Sequence, residues 1–170
     1  MQSPYVRLAL QSITHYLNTG KPLPMPEGMS DELTRRRAGA FVTLHKGGRL
    51  RGCIGTISPS QRSLAEEIIM NAISAAFTDP RFPRVRAEEM PEITCSVDVL
   101  DAPEPIDSIS QLDVKEYGVI VSRGNRRGLL LPNLDGVDTV DEQVDIARQK
   151  AGISPQESFT LERFKVVRHT

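Results

Sequence analysis

The segment Leu50-Arg51-Gly52-Cys53-Ile54-Gly55 concentrates the residues of this chain best suited to chemistry. Read as a strand of period 2, it sends Arg51, Cys53 and Gly55 to one face and Leu50, Gly52 and Ile54 to the other. A guanidinium two residues from a thiol lies about 7 Å away on the same side. A fixed cation there favours the thiolate, the nucleophilic form of cysteine. Cys53 is therefore the expected reacting group, with Arg51 lowering its pKa and holding an anionic group. Gly52 and Gly55 would let a ligand or another backbone approach closely. Beside this stands a plainer reading, in which Cys53 is a small buried hydrophobe.

A thiol nucleophile needs a nearby base. The histidines are His15, His45 and His169. Residues 41–46 and 49–55 read as a hairpin around Gly47-Gly48, a good two-residue turn. That turn sets His45 opposite Leu50, Leu44 opposite Arg51, Thr43 opposite Gly52 and Val42 opposite Cys53. His45 would then sit on the face away from Cys53. Cys95 alternates with Ile93, Val97 and Val99 in a strand over 93–100 and reads as core.

Further residues can be gathered around the hairpin. Residues 62–78 form the strongest helix, with Leu64, Ile68, Ala72 and Ala75 on a broad apolar face. Asn71 falls on that face, either to bind a ligand or to cap backbone groups. The helix stops before Asp79-Pro80-Arg81-Phe82-Pro83, a stiff loop that could present Asp79 and Arg81 rigidly. Arg127 lies near the tip of a second hairpin, 117–123 and 126–131, around Gly124-Asn125. Arginine suits carboxylate or phosphate, so a small anionic ligand is expected if these residues form a site.

The remaining elements are a helix over 3–19, a helix over 139–151 and a strand over 159–167. Hairpins dominate, which predicts an α+β fold, a largely antiparallel sheet with helices packed on it. At 170 residues one domain spanning 1–170 is the default. The net charge is -1, and with few aromatics and no tryptophan this argues against nucleic-acid binding. No apolar run reaches the length of a membrane span, and the N-terminal residues do not read as a signal peptide. Neither a phosphate loop nor a dinucleotide fingerprint nor a metal-ligand spacing is visible, so no cofactor and no metal are expected. Two cysteines without disulfide spacing suggest a cytoplasmic protein with reduced thiols.

Three ordered blocks resemble a known family. They are 50–55, then Asn71-Ala72-Ile73-Ser74-Ala75-Ala76-Phe77-Thr78-Asp79-Pro80-Arg81-Phe82-Pro83, then Gly118-Val119-Ile120-Val121 with Arg127-Gly128-Leu129-Leu130-Leu131-Pro132. On these the chain is similar to the AMMECR family, whose bacterial and archaeal members are called AmmeMemoRadiSam system protein A. The resemblance implies one α+β domain, described in the family as two lobes with a cleft that the first block approaches. It also implies a shared pathway with a Memo-like protein and a radical-SAM protein. Two functions follow as expectations. One is an enzyme or small-molecule-handling protein with its site at Arg51, Gly52, Cys53, Gly55, Asn71, Asp79, Arg81 and Arg127. The other is a non-catalytic module that docks one of those partners.

Overall fold

A computed structural model describes residues 2–170. The chain divides into two compact units, 1–100 with 167–170 and 101–166. Both are mixtures of helix and antiparallel sheet, as expected for α+β.

The first unit opens with α1, Pro4–Thr19. Ser3 caps it by accepting a hydrogen bond from the Val6 amide, Pro4 occupies the first turn, and Gly20 ends it in the left-handed conformation at φ 71°. A short helix α2, Asp31–Arg35, precedes β1, Ala40–Lys46, and β2, Arg49–Gly55. Gly47 and Gly48 both take positive φ, 58° and 76°, which is what a two-residue hairpin turn with the sheet's own twist requires. Helix α3, Leu64–Phe77, begins at a Ser63 cap. A 3-10 segment, Ala87–Glu92, leads into β3, Ile93–Leu100. The last strand, β8, is Val166–His169, and the sheet order is β2-β1-β3-β8.

One face of this sheet carries the core. Ala40, Val42, Leu44, Val97 and Val99 are buried there with Leu8, Ala9 and Ile13 of α1 and Leu64, Ile68, Ala72 and Ala75 of α3. Cys95 faces Leu44 in register and packs on the same side, as its alternation suggested. Gly52 belongs to that face too. A Cβ built on it would stand 2.2 Å from the Ala75 carbonyl oxygen, so α3 lies against the sheet at a distance only glycine permits.

The second unit holds β4, Glu104–Ile106, β5, Gly118–Arg123, β6, Arg126–Leu130, and β7, Thr160–Phe164, in the order β4-β7-β5-β6. Helix α4, Val140–Lys150, packs its Ala147, with Ala151 that caps it, against Val119, Val121 and Leu130. The strand expected over 159–167 is in fact two. It breaks at Lys165, and β7 and β8 belong to different sheets.

The hairpin register differs from the one expected. β1 pairs Thr43 with Cys53 and Val42 with Ile54, while His45 still faces Leu50. The shift falls between Leu44 and His45, so Arg51 is an extra residue with no partner opposite it. Such a bulge interrupts the alternation of sides. Strand β1 runs regularly against β3, so the irregularity is confined to β2.

Candidate functional site

The bulge separates the two residues that the strand pattern placed together. The Arg51 guanidinium binds both carboxylate oxygens of Glu89, Nε at 3.0 Å and Nη2 at 3.1 Å, and gives Nη1 to the Pro83 carbonyl at 2.8 Å. Lys46, on the side of Val42 and Leu44, reaches the same carboxylate at 3.2 Å. Arg51 thus lies on the side of the helices, together with Gly52. Cys53 lies on the other side, where its Sγ is 3.2 Å from the Thr43 hydroxyl. The shared face expected for Arg51 and Cys53 is not formed, and the cause is one inserted residue. The same shift moves His45. It now shares a face with Thr43 and hence with Cys53, where the two-residue turn alone set it opposite.

Asp79 and Arg81 are brought to Cys53, but to its backbone. Strand β2 is an edge strand, and in the Thr43 pair the Cys53 amide and carbonyl point outward. Asp79 Oδ2 accepts from the Cys53 N–H at 3.0 Å and Arg81 Nη2 donates to the Cys53 carbonyl at 3.3 Å. The two side chains hold each other as well, Arg81 Nη2 to Asp79 Oδ2 at 2.8 Å. This pair stands in for a neighbouring strand and closes the edge at one residue. The Arg81 hydrogen bonds, with those from two backbone amides, hold the Asp79 carboxyl well below the usual carboxylate range.

The remaining expected residues divide in the same way. Asn71 gives its amide to the Ala40 carbonyl at 2.8 Å and the Thr56 hydroxyl at 3.2 Å, so it secures the start of β1. The space above Gly55 is filled by the Phe41 ring, 2.3 Å from where a Cβ would stand. Arg127 belongs to the second unit, where it pairs with Glu162 at 3.4 Å.

Three residues that the sequence pattern passed over matter more. Asp98 is fully buried, and its two oxygens take Arg168 Nε at 2.8 Å and Nη2 at 3.1 Å. By alternation Asp98 read as an outward residue, and nothing local marks Arg168, 70 positions away, as its partner. Glu89 is 7% exposed and takes the Arg86 amide at 2.8 Å besides Arg51 and Lys46. These contacts, Arg51 foremost, lower its carboxyl to about 2. Glu67 is 1% exposed and accepts from the Ser60 and Gln61 amides and from the Thr56 and Ser60 hydroxyls. It thereby fixes the loop after β2. A carboxylate on the apolar face of α3 was a visible anomaly at sequence level.

The thiol itself is held in its protonated form. Burial pushes the Cys53 pKa up, and Asp98 and Asp79 add to the rise; the Thr43 hydroxyl and the Arg81 charge oppose it without reversing it. Cys95 is pushed up to about 12 by burial alone. Among the described residues no group of three His, Cys, Asp or Glu side chains is placed to hold a metal ion. No helix among them is long and apolar enough to cross a membrane.

The sequence profile described as AMMECR1 matches residues 6–169. The chain belongs to the AMMECR1 family. A protein of Thermotoga maritima is 53% identical over 171 residues, covering 96% of this chain and 98% of that one. A Clostridium acetobutylicum protein is 51% identical over 169 residues, but this chain spans only 36% of its length. The crystal structure of an uncharacterized Pyrococcus horikoshii protein, 36% identical, superposes with a TM-score of 0.88 over 96% of this chain and 88% of that one.

Proposed function

We propose that this AMMECR1 domain is a non-catalytic interaction module that works with a Memo-like protein and a radical-SAM protein, in a cytoplasmic setting with reduced thiols. One observation carries this reading. The polar groups of the signature blocks are already engaged inside the chain. Arg51 is spent on Glu89 and Pro83, and Asp79 and Arg81 on each other and the Cys53 backbone. A thiol whose pKa is raised is a poor nucleophile at neutral pH. Residues so arranged brace an edge strand and its loops. The Clostridium relative, in which the same domain is 36% of a longer chain, fits a module that acts beside other domains.

A second reading keeps Cys53 as a reacting group. It is favoured by His45 sharing its face and by the Thr43 hydroxyl at 3.2 Å, which could pass a proton if a ligand lowered the thiol pKa.

The experiment pairs Cys53→Ala with the Memo-like and radical-SAM proteins of the same genome. The module reading expects the variant to bind them by sedimentation with unchanged affinity and to restore a deletion strain's metabolite profile. Binding that survives while the profile stays defective would establish the thiol reading. Wild-type protein that binds neither partner would remove the module reading.

A further inference from the structure

On the helical side of the first unit the same braces support a groove of about 690 Å³. Its floor is aromatic: the rings of Tyr16 on α1 and Phe77 on α3 are 4.9 Å apart, tilted at 32°. Its rim is the segment from Arg84 to Glu88. The Arg84 guanidinium lies over the Phe77 ring at 5.1 Å. Between the two exposed arginines, Val85 is buried at 3% and anchors the rim. Among the described residues no carboxylate pairs with Arg84 or Arg86, in a chain where most arginines have one.

The rim is held at three backbone points. Arg51 binds the Pro83 carbonyl at 2.8 Å, the Ala76 carbonyl binds the Val85 amide at 2.9 Å, and Glu89 binds the Arg86 amide at 2.8 Å. The signature arginine and its partner Glu89 are thus positioning residues for this rim. Two guanidinium groups without a carboxylate partner stand on a fixed backbone beside an aromatic floor, so only their side chains are ordered on binding. Their planar forks suit an anion, and their faces suit a ring. The volume lies in the range of small-molecule sites.

We infer that this groove binds a small planar aromatic anion, its ring against Tyr16 and the Arg84 guanidinium and its charged group on Arg84 and Arg86. Glu88 is the one carboxylate lining the groove. The site is separate from Cys53 and does not depend on the module reading.

The test uses the full chain with AMP and benzoate as probes, by isothermal titration, with adenosine and inorganic phosphate as controls. Saturable binding of AMP or benzoate is expected, with adenosine and phosphate each about tenfold weaker or more, since each supplies half of the contact. AMP alone would point to a nucleotide, benzoate alone to an aromatic carboxylate. The double variant Arg84→Ala/Arg86→Ala, both exposed, should keep the melting temperature and lose at least about tenfold in affinity. Arg84→Lys, which keeps the charge but not the plane, should fall between. The inference is overturned if neither probe saturates at millimolar concentration, or if the double variant binds as the wild type does.

Discussion

Glu89→Gln should cost the first unit about 3 kcal/mol at neutral pH. The carboxyl sits at about 2 where an ordinary glutamate has 4.5, a difference worth at most about 3 kcal/mol by proton linkage. Removing one member of a buried pair costs about 3–5 kcal/mol because the other charge is left without a partner. Arg51, with a side chain only 11% exposed, would be that charge, though Pro83 still accepts one of its hydrogen bonds. The lower figure is therefore the expected one. The sign follows from the direction of the shift. A depressed carboxyl stabilises the fold above its unfolded pKa, near 4.5, and that contribution is lost as pH falls toward 2. The wild type should lose this stability on acidification and the variant should not, so their gap narrows between pH 4.5 and 2. Urea titrations read by hydrogen exchange of peptides within 64–100 score the first unit alone. A gap at pH 7 below about 1 kcal/mol, or one that stays constant down to pH 2, would refute the assignment of Glu89 as the charge on which Arg51 rests.

Other expectations follow from single contacts. Iodoacetamide should label Cys53 slowly at pH 7 and faster only in alkali, and Arg51→Met should leave that rate unchanged in the folded protein; rapid labelling at pH 7 that the variant slows would restore the shared site. Gly52→Ala should destabilise by roughly 2–4 kcal/mol, because the new methyl meets the Ala75 carbonyl backbone rather than a movable side chain; an unchanged denaturation midpoint would mean α3 can shift away. Asp79→Ala should open the β2 edge and increase concentration-dependent association in light scattering; a variant that stays as dispersed as the wild type would show the edge is protected by something else. Arg168→Ala should destabilise the first unit by about 2–4 kcal/mol by leaving buried Asp98 unpaired, measured by the same exchange experiment; a loss under about 0.5 kcal/mol would show that the pair does not support the fold.

Periodicity carried most of the fold. The apolar spacing of α1 and α3, the Gly47-Gly48 turn and the alternation of β3 each followed from residues within one element, where local physics decides. The site was less legible because it depends on one residue of register. Nothing in Leu50-Arg51-Gly52-Cys53 announces a bulge; it is set by Arg51 finding Glu89, 38 positions on, and by Gly52 meeting α3. Asp98 and Arg168 illustrate the same limit, since their pairing joins segments that local pattern treats separately. Asn71 was the better case. A polar residue on an apolar helix face must find a partner, and of the two roles open to it, the structure shows backbone capping.

The split membership of the last strands bears on how the chain is made. Residues 101–166 form a compact unit whose two ends are joined by the Asp101 amide and the Lys165 carbonyl at 2.9 Å. That unit holds all of its own residues without 167–170. The unit that begins the sequence is the one that must wait. Until those residues emerge, β3 lacks its outer neighbour and Asp98 lacks Arg168. N-terminal domains ordinarily fold first during synthesis; here the N-terminal unit cannot close until residues 167–170 are free to join it. A released chain truncated after residue 166 should therefore carry a protease-resistant second unit and a first unit that is still open.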